Sequence, residues 1–119
     1  MKSSRAQAEP YVTRDGTLIR ELMYPQVHGN RAQSLAEAVL PPGTESVLHR
    51  HHRSEEIYHF TAGSGVMTLG EERFPVAAGD SVCIPPGTPH RLSNPGTTDL
   101  VVLCACAPPY GHGDTELLE

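Results

Sequence analysis

The chain has 119 residues, a formal net charge of −5, and eleven Gly and eleven Pro. A domain of this length buries about two-thirds of its unfolded surface, and a negative charge without any basic run argues against nucleic acid as a partner. No apolar stretch is long enough to span a membrane, and the N-terminal segment M-K-S-S-R-A-Q-A lacks a hydrophobic signal core. We therefore expect no membrane partner and a cytoplasmic location.

The N-terminal third of the chain predicts short strands separated by turns. Residues 1–10 are polar and are expected to be disordered, which leaves residues 11–119 as a single domain. Residues 16–24 predict an early strand, and residues 25–31 predict a loop. Residues 34–40 alternate between apolar and polar side chains, as a half-buried strand does.

The remainder of the chain continues this pattern. Residues 66–69 and 73–76 flank a G-E-E turn and predict a hairpin. The apolar run at residues 99–107 predicts a last strand. No stretch shows sustained helical periodicity, so short strands account for the regular structure.

Two histidines in the segment H-R-H-H-R-S-E-E-I-Y-H-F are suited to bind one metal ion. His49 and His51 are two residues apart, and residues i and i+2 of a strand point to the same face. Glu56 lies five residues past His51, which is the wrong parity for one continuous strand. Residues 52–54 predict a reversal, and β-forming residues follow, so a hairpin is expected to bring Glu56 back beside the two imidazoles.

A third imidazole comes from a later segment. His90 follows the turn P-P-G-T-P, in which Gly87 can adopt a positive φ and the prolines stiffen the chain. A lone H-x-H pair is more often a surface or packing feature than a pair of ligands. The presence of Glu56 and of a second segment with its own histidine makes metal binding the favoured interpretation of this pair. Three imidazoles and one carboxylate form a ligand set for a divalent transition metal.

These two segments resemble the two motifs of the cupin superfamily. The fixed places of G-x5-H-x-H-x3,4-E-x6-G are filled by Gly43, His49, His51, Glu56 and Gly63, and those of G-x5-P-x-G-x2-H-x3-N by Gly79, Pro85, Gly87, His90 and Asn94. The spacing to Gly63 makes Glu56, rather than Glu55, the acidic ligand of this pattern. The resemblance covers about residues 17–108 of the chain. It implies an all-β, double-stranded β-helix (jelly-roll) barrel with the metal inside, but it implies no single reaction, since one fold hosts many.

The resemblance also bears on assembly. The strand predicted at residues 16–24 has no obvious partner within a barrel closed by the two motifs. Small cupins commonly pair such a strand across a dimer, which also covers an exposed sheet edge. We therefore expect a twofold-symmetric homodimer.

Side chains that share the parity of Glu56 are expected to line the cavity around the metal. Tyr58 and Phe60 share that parity, and Met67 and Leu92 are further candidates. These side chains favour a substrate with an apolar or aromatic part over a sugar phosphate, which would require Arg or Lys.

The three cysteines argue against a disulfide framework. Cys104 and Cys106 form a C-x-C pair in the last predicted strand and share one face. They are either small hydrophobic residues or neighbours of the metal pocket. We expect both, together with Cys83, to be reduced and not to bind the metal.

The predicted ligand set limits the chemistry. Four protein ligands on an octahedral ion leave two positions for a bidentate substrate, or for one substrate oxygen and dioxygen. The ion is expected to be manganese, iron, nickel, copper or zinc, which ligand type alone does not separate.

Three functions are compatible with such a site. The first is a metal-dependent isomerase, lyase, cyclase or dioxygenase acting on a small oxygen-rich molecule. The second is a non-catalytic module that binds a sugar or organic acid, and the third is a protein whose metal only stabilises the barrel. Open coordination favours the first two, because structural sites are usually closed, and we expect the enzyme.

Overall fold

The computed structural model describes residues 1–119 and contains twelve strands in two antiparallel sheets. In chain order they are β1 (Tyr11–Val12), β2 (Leu18–Met23), β3 (Ser34–Leu40), β4 (Thr44–Glu45), β5 (His49–His51), β6 (Glu55–Ala62), β7 (Ser64–Leu69), β8 (Glu72–Ala77), β9 (Ser81–Ile84), β10 (His90–Asn94), β11 (Leu100–Ala107) and β12 (Thr115–Leu117). Short helical turns occupy Arg5–Gln7, Pro25–His28 and His112–Asp114.

The first sheet has the strand order β1-β2-β3-β11-β6-β9. The second has the order β12-β5-β10-β7-β8, and β4 pairs with β10 outside that path. The all-β, jelly-roll fold class predicted from the sequence is confirmed. The strands predicted at residues 34–40, 66–69, 73–76 and 99–107 correspond to β3, β7, β8 and β11. No helix of the structure has the length and apolar character needed to cross a membrane.

The hydrophobic core lies between the inner faces of the two sheets. Phe60, Met67, Leu100 and Val102 are fully buried there. Burial of each side chain of this size contributes about 1.5–3 kcal/mol before the cost of ordering it. Along β6 the buried residues alternate with exposed ones, so Glu56 points inward together with Phe60.

The predicted hairpin between the histidine strand and the Glu56 strand does not form. Strand β5 belongs to the second sheet and β6 to the first, and the two do not pair. The three-residue strand β5 ends in a corner, where the Asp114 carboxylate accepts hydrogen bonds from the backbone N–H groups of Arg53 and Ser54 at 2.9 and 3.1 Å. Glu56 therefore approaches the imidazoles across the barrel instead of along one sheet.

The early strand has partners within its own chain. Strand β2 pairs with β1 on one side and with β3 on the other, and Ile19 joins the core. The expectation that the strand at residues 16–24 lacks a partner within its own barrel is therefore wrong. The homodimer stays a prediction. Two residues of the segment 1–10, which is expected to be disordered, contact the first sheet: Arg5 forms an ion pair with Glu37 at 2.8 Å, and Ser3 donates a hydrogen bond to Leu22 O.

Gly63 joins the two sheets at a point that only glycine fits. Its φ is +78°, and a Cβ built there would lie 2.2 Å from the carbonyl oxygen of Asp99. A side chain would therefore force β6 and β11 apart at the end of the barrel.

The outer face of the first sheet carries an exposed apolar row. Leu35, Ala105, Ile57 and Cys83 are cross-strand neighbours on β3, β11, β6 and β9. Leu35 and Ile57 are 38 % and 46 % exposed. We call these four residues the outer row.

Candidate metal centre

Three imidazoles meet on the inner face of the second sheet. His49 and His51 lie on β5, and His90 lies on the neighbouring strand β10, directly opposite His49 in the register. All three are buried, and their ligand nitrogens lie within 4.8 Å of one another. Neutral imidazoles at this spacing could bind one metal ion.

Hydrogen bonds fix the same tautomer in all three rings. Nδ1 of His49 lies 2.7 Å from the Val47 carbonyl, and Nδ1 of His90 lies 2.9 Å from the Thr88 carbonyl. A carbonyl oxygen can only accept, so each Nδ1 carries the proton. Nδ1 of His51 lies 2.9 Å from the Thr115 hydroxyl, which donates to Gly111 O and therefore accepts from the ring. Each Nε2 is left with a lone pair directed into the barrel, which is the arrangement of a metal ligand.

Glu56 brings a carboxylate to the same place from the opposite sheet. Its Oε1 lies 3.2 Å from His51 Nε2 and 3.5 Å from His90 Nε2. Oε1 and His90 Nε2 are sealed from solvent and have no hydrogen-bond partner. Acceptors placed face to face repel unless a cation lies between them, and atoms bound to one ion at about 2.1 Å sit roughly 3 Å apart in adjacent positions. The donor set therefore fits a divalent transition metal.

The charges of the site agree with this geometry. Burial raises the pKa of Glu56, but in the metal-free site the neighbouring His51 and His90, when they carry the protons that neutralise the carboxylate in place of a metal ion, outweigh it and bring the pKa down to about 2. Burial lowers the pKa of His49, and neighbouring His90 lowers it further. A carboxylate that stays ionised and an imidazole that stays neutral are the forms that bind a metal.

Thr115 and Asp15 belong to this site, although neither lies in a sequence pattern that predicts a metal ligand. Thr115 lies on β12, which pairs with β5 and brings the hydroxyl to His51. Asp15 lies in the β1–β2 turn, with Oδ2 at 3.5 Å from His49 Nε2. Each contact spans dozens of residues of sequence, and a polar residue in a turn or tail carries no signal of such a contact. The only hint for Asp15 was the tight T-R-D-G-T segment around it.

An open cavity begins at His49 and His51 and extends between the sheets. Its volume is about 50 Å³, which leaves room for a few water molecules. Of the four predicted lining residues, Tyr58 and Leu92 lie in the wall of this cavity. Phe60 and Met67 also point inward, but they are fully buried in the core beyond the cavity and do not line it.

The C-x-C pair borders the cavity. Cys104 and Cys106 both line it, and the Cys106 thiol donates to Glu56 Oε2 at 3.3 Å. Burial raises the pKa of both thiols well above the ordinary value, and the charge of Glu56 adds to the effect. All three cysteines are free in the structure, and Cys83 is exposed.

Comparison with known proteins places the chain in a family. Residues 36–106, more than half of the chain, match the Cupin domain family. The chain is a cupin. This cupin is 48 % identical over 119 residues to the uncharacterized protein MJ1618 of Methanocaldococcus jannaschii, covering 100 % of this chain and 95 % of that protein. It is 38 % identical over 74 residues to the oxalate-binding protein of Thermotoga maritima, covering 62 % of this chain and 61 % of that protein.

Solved structures share the fold. The crystal structure of a predicted oxalate decarboxylase from Thermotoga maritima superposes with a TM-score of 0.79 at 27 % identity, covering 90 % of this cupin and 98 % of that chain. The polyketide cyclase RemF from Streptomyces resistomycificus gives a TM-score of 0.85 at 18 % identity, covering 100 % of this cupin and 85 % of that chain. The second likeness concerns the fold alone.

Proposed function

We propose that this cupin is a metal-dependent enzyme that binds one divalent transition metal through His49, His51, Glu56 and His90 and transforms a small, oxygen-bearing organic molecule. The observation that carries the proposal is the pair of buried, unpartnered acceptors, Glu56 Oε1 and His90 Nε2, directed at each other. A purely structural ion would need no cavity beside it, whereas His49, His51 and Glu56 line one that is open to solvent.

The residues around the site have separable roles. A divalent ion supplies Lewis acidity toward a substrate oxygen. Tyr58 lines the cavity next to the ligands, with its ring centroid 5.9 Å from that of His90. Burial raises the pKa of Tyr58 well above its ordinary value, and the charge of Glu56 raises it further. Its hydroxyl therefore stays protonated and acts as a hydrogen-bond donor to a substrate oxygen.

The charge of the cavity selects the substrate class. Asp15, Glu21 and Glu56 line the cavity, and the lining contains no lysine or arginine. Three carboxylates outweigh the two positive charges of a divalent ion, so a dianion would enter a site of net negative charge. The apolar lining, which includes Ile19 and Leu92, accommodates a hydrocarbon part. Neutral hydroxy-ketones, diketones and phenols fit these conditions better than oxalate or a sugar phosphate.

The test is a substrate screen under two atmospheres. Metal-loaded protein is incubated with diketones, hydroxy-ketones, catechols and flavonols, and with uronates and oxalate as the anionic set, with and without dioxygen. Oxygen uptake would identify a dioxygenase, and anaerobic conversion would identify an isomerase, lyase or cyclase. The Glu56→Gln variant should lose metal and turnover together, and Glu55→Gln, a change at the exposed neighbouring residue, should keep both. A reaction of the anionic set alone would contradict the predicted preference for neutral substrates.

The second candidate is a binding module without catalysis. The name of the Thermotoga maritima oxalate-binding protein favours it, since this chain is 38 % identical to 74 residues of that relative. Binding of a small acid or sugar to the metal-loaded protein, without conversion in either atmosphere, would select the module over the enzyme.

A further inference from the structure

The turn between β1 and β2 holds Asp15 in one orientation. Thr13 N donates to Thr17 O at 2.9 Å and closes the turn, in which Gly16 has a φ of +92°. Asp15 Oδ1 accepts hydrogen bonds from Thr17 N at 3.1 Å and Thr17 Oγ1 at 2.8 Å, and Thr13 Oγ1 donates to it as well. Oδ1 is thus fully used within the turn, and Oδ2 is left for another partner.

The free oxygen faces a metal-ligand nitrogen. Asp15 Oδ2 lies 3.5 Å from His49 Nε2. The proton of His49 is on Nδ1, where Val47 O accepts it, so Nε2 and Oδ2 are again two acceptors facing each other. Glu56 Oε1 and His90 Nε2 are likewise two acceptors that face each other, at 3.5 Å. Glu56 reaches the imidazoles on the side of His51 and His90, whereas Asp15 reaches them on the side of His49.

The turn is also fixed to the ligand strand. The Asp15 carbonyl accepts a hydrogen bond from Val47 N at 2.8 Å, two residues before His49. The side chains of Asp15 and His49 are 16 % and 4 % exposed. A closed turn, a saturated Oδ1 and a backbone bond to the ligand strand together hold one carboxylate oxygen beside His49 Nε2 with little conformational freedom to lose.

We propose that Asp15 is a fifth protein ligand of the metal, contributed by the turn outside both cupin motifs. This inference rests on the metal site described under the proposed function. A six-coordinate ion held by His49, His51, Glu56, His90 and Asp15 has one position left for a substrate oxygen. The enzyme would then bind its substrate through a single oxygen rather than by chelation.

The test compares metal binding in three proteins. Asp15→Asn is isosteric, and its amide oxygen still accepts the hydrogen bonds of the turn, but it places an NH₂ group toward the ion. Glu21→Gln is the matched control, because it removes the same charge from the same cavity and Glu21 contacts Tyr11 rather than a histidine. Affinity is measured with Co²⁺ by chelator competition, and visible absorption of the Co²⁺ protein reports the coordination number.

Asp15→Asn should bind Co²⁺ at least tenfold more weakly than the wild type and absorb more strongly, as a lower-coordinate ion does, while Glu21→Gln stays within twofold. An Asp15→Asn protein with unchanged affinity and spectrum would overturn the fifth ligand and leave Asp15 as a partner of a protonated His49. A wild type that binds no Co²⁺ would instead refute the proposed metal function. A structure of the Mn²⁺-loaded wild type needs no variant: Oδ2 within about 2.3 Å of the ion supports the proposal, and a separation above 3 Å overturns it.

Discussion

The hydrogen bond between Thr115 and His51 offers a quantitative test of the metal centre. Thr115 Oγ1 accepts from His51 Nδ1 at 2.9 Å, and the two residues are 8 % and 4 % exposed. Thr115→Val keeps the shape and the β-branched character suited to β12 but removes the acceptor. In the metal-bound protein Nε2 is occupied, so the proton must stay on Nδ1 and lose its partner.

The cost of that unsatisfied donor sets the size of the effect. A buried N–H without a partner costs about 1–3 kcal/mol, which corresponds to roughly 5- to 150-fold in affinity. In the metal-free Thr115→Val variant, the His51 ring can instead carry its proton on Nε2 and donate it to Glu56 Oε1, which lies 3.2 Å away. The penalty of the unsatisfied N–H therefore falls on metal binding, and the metal-free variant should lose only about 0.5–1.5 kcal/mol of unfolding free energy, the contribution of the Thr115–Gly111 O hydrogen bond that it also lacks.

Chelator competition with Zn²⁺ at pH 7.5 measures the change. We expect Thr115→Val to bind the metal about 10- to 100-fold more weakly than the wild type, and Thr115→Ser, which keeps the hydroxyl, to stay within about threefold. Urea denaturation of the metal-free proteins checks that the fold is unaltered. A Thr115→Val protein that binds as tightly as wild type, or a Thr115→Ser protein as weak as Thr115→Val, would refute the role of this hydrogen bond.

Three other predictions concern the fold, the thiols and the assembly. Leu100→Ala should lower the free energy of unfolding measured in urea by about 2–5 kcal/mol, because Leu100 is fully buried. Ile57→Ala, at an exposed position, should lower it by less than about 1 kcal/mol. Equal losses would contradict the placement of the core. At pH 8 a thiol reagent should modify Cys83 rapidly and Cys104 and Cys106 slowly, because burial raises the pKa of the latter two thiols. Protein denatured without a reducing agent should show three free thiols, and a smaller number would indicate oxidation. Light scattering should give twice the chain mass of 12.9 kDa; a monomeric wild type would exclude the dimer.

The sequence predicted what depends on local pattern. Strand parity placed His49 and His51 on one face and Tyr58 on the face of Glu56, and the structure has both arrangements. Parity does not give depth along a barrel, however. Phe60 has the same parity as Tyr58 but lies one step further into the core and does not line the cavity at the histidines.

What the sequence left open depends on contacts between distant segments. A polar reversal after His51 is compatible with a hairpin or with a corner between two sheets, and the Asp114 carboxylate that fixes the corner comes from the C-terminal tail. Thr115 and Asp15 reach the histidines from opposite ends of the chain. Their side chains are ordinary in a tail and a turn, so only the folded barrel shows that they belong to the site.

Metal stoichiometry tests the central claim most directly. Three proteins are compared: the wild type, the double variant His49→Ala/His51→Ala, and the control His52→Ala at an exposed neighbouring residue. Each is purified without added metal, loaded with Mn²⁺, Fe²⁺, Ni²⁺, Cu²⁺ or Zn²⁺ and dialysed. Mass spectrometry then measures the metal content per chain. We predict one divalent ion per chain in the wild type and in His52→Ala, and none in the double variant. A wild type that retains no divalent ion, or a double variant that retains a full equivalent, would contradict the account.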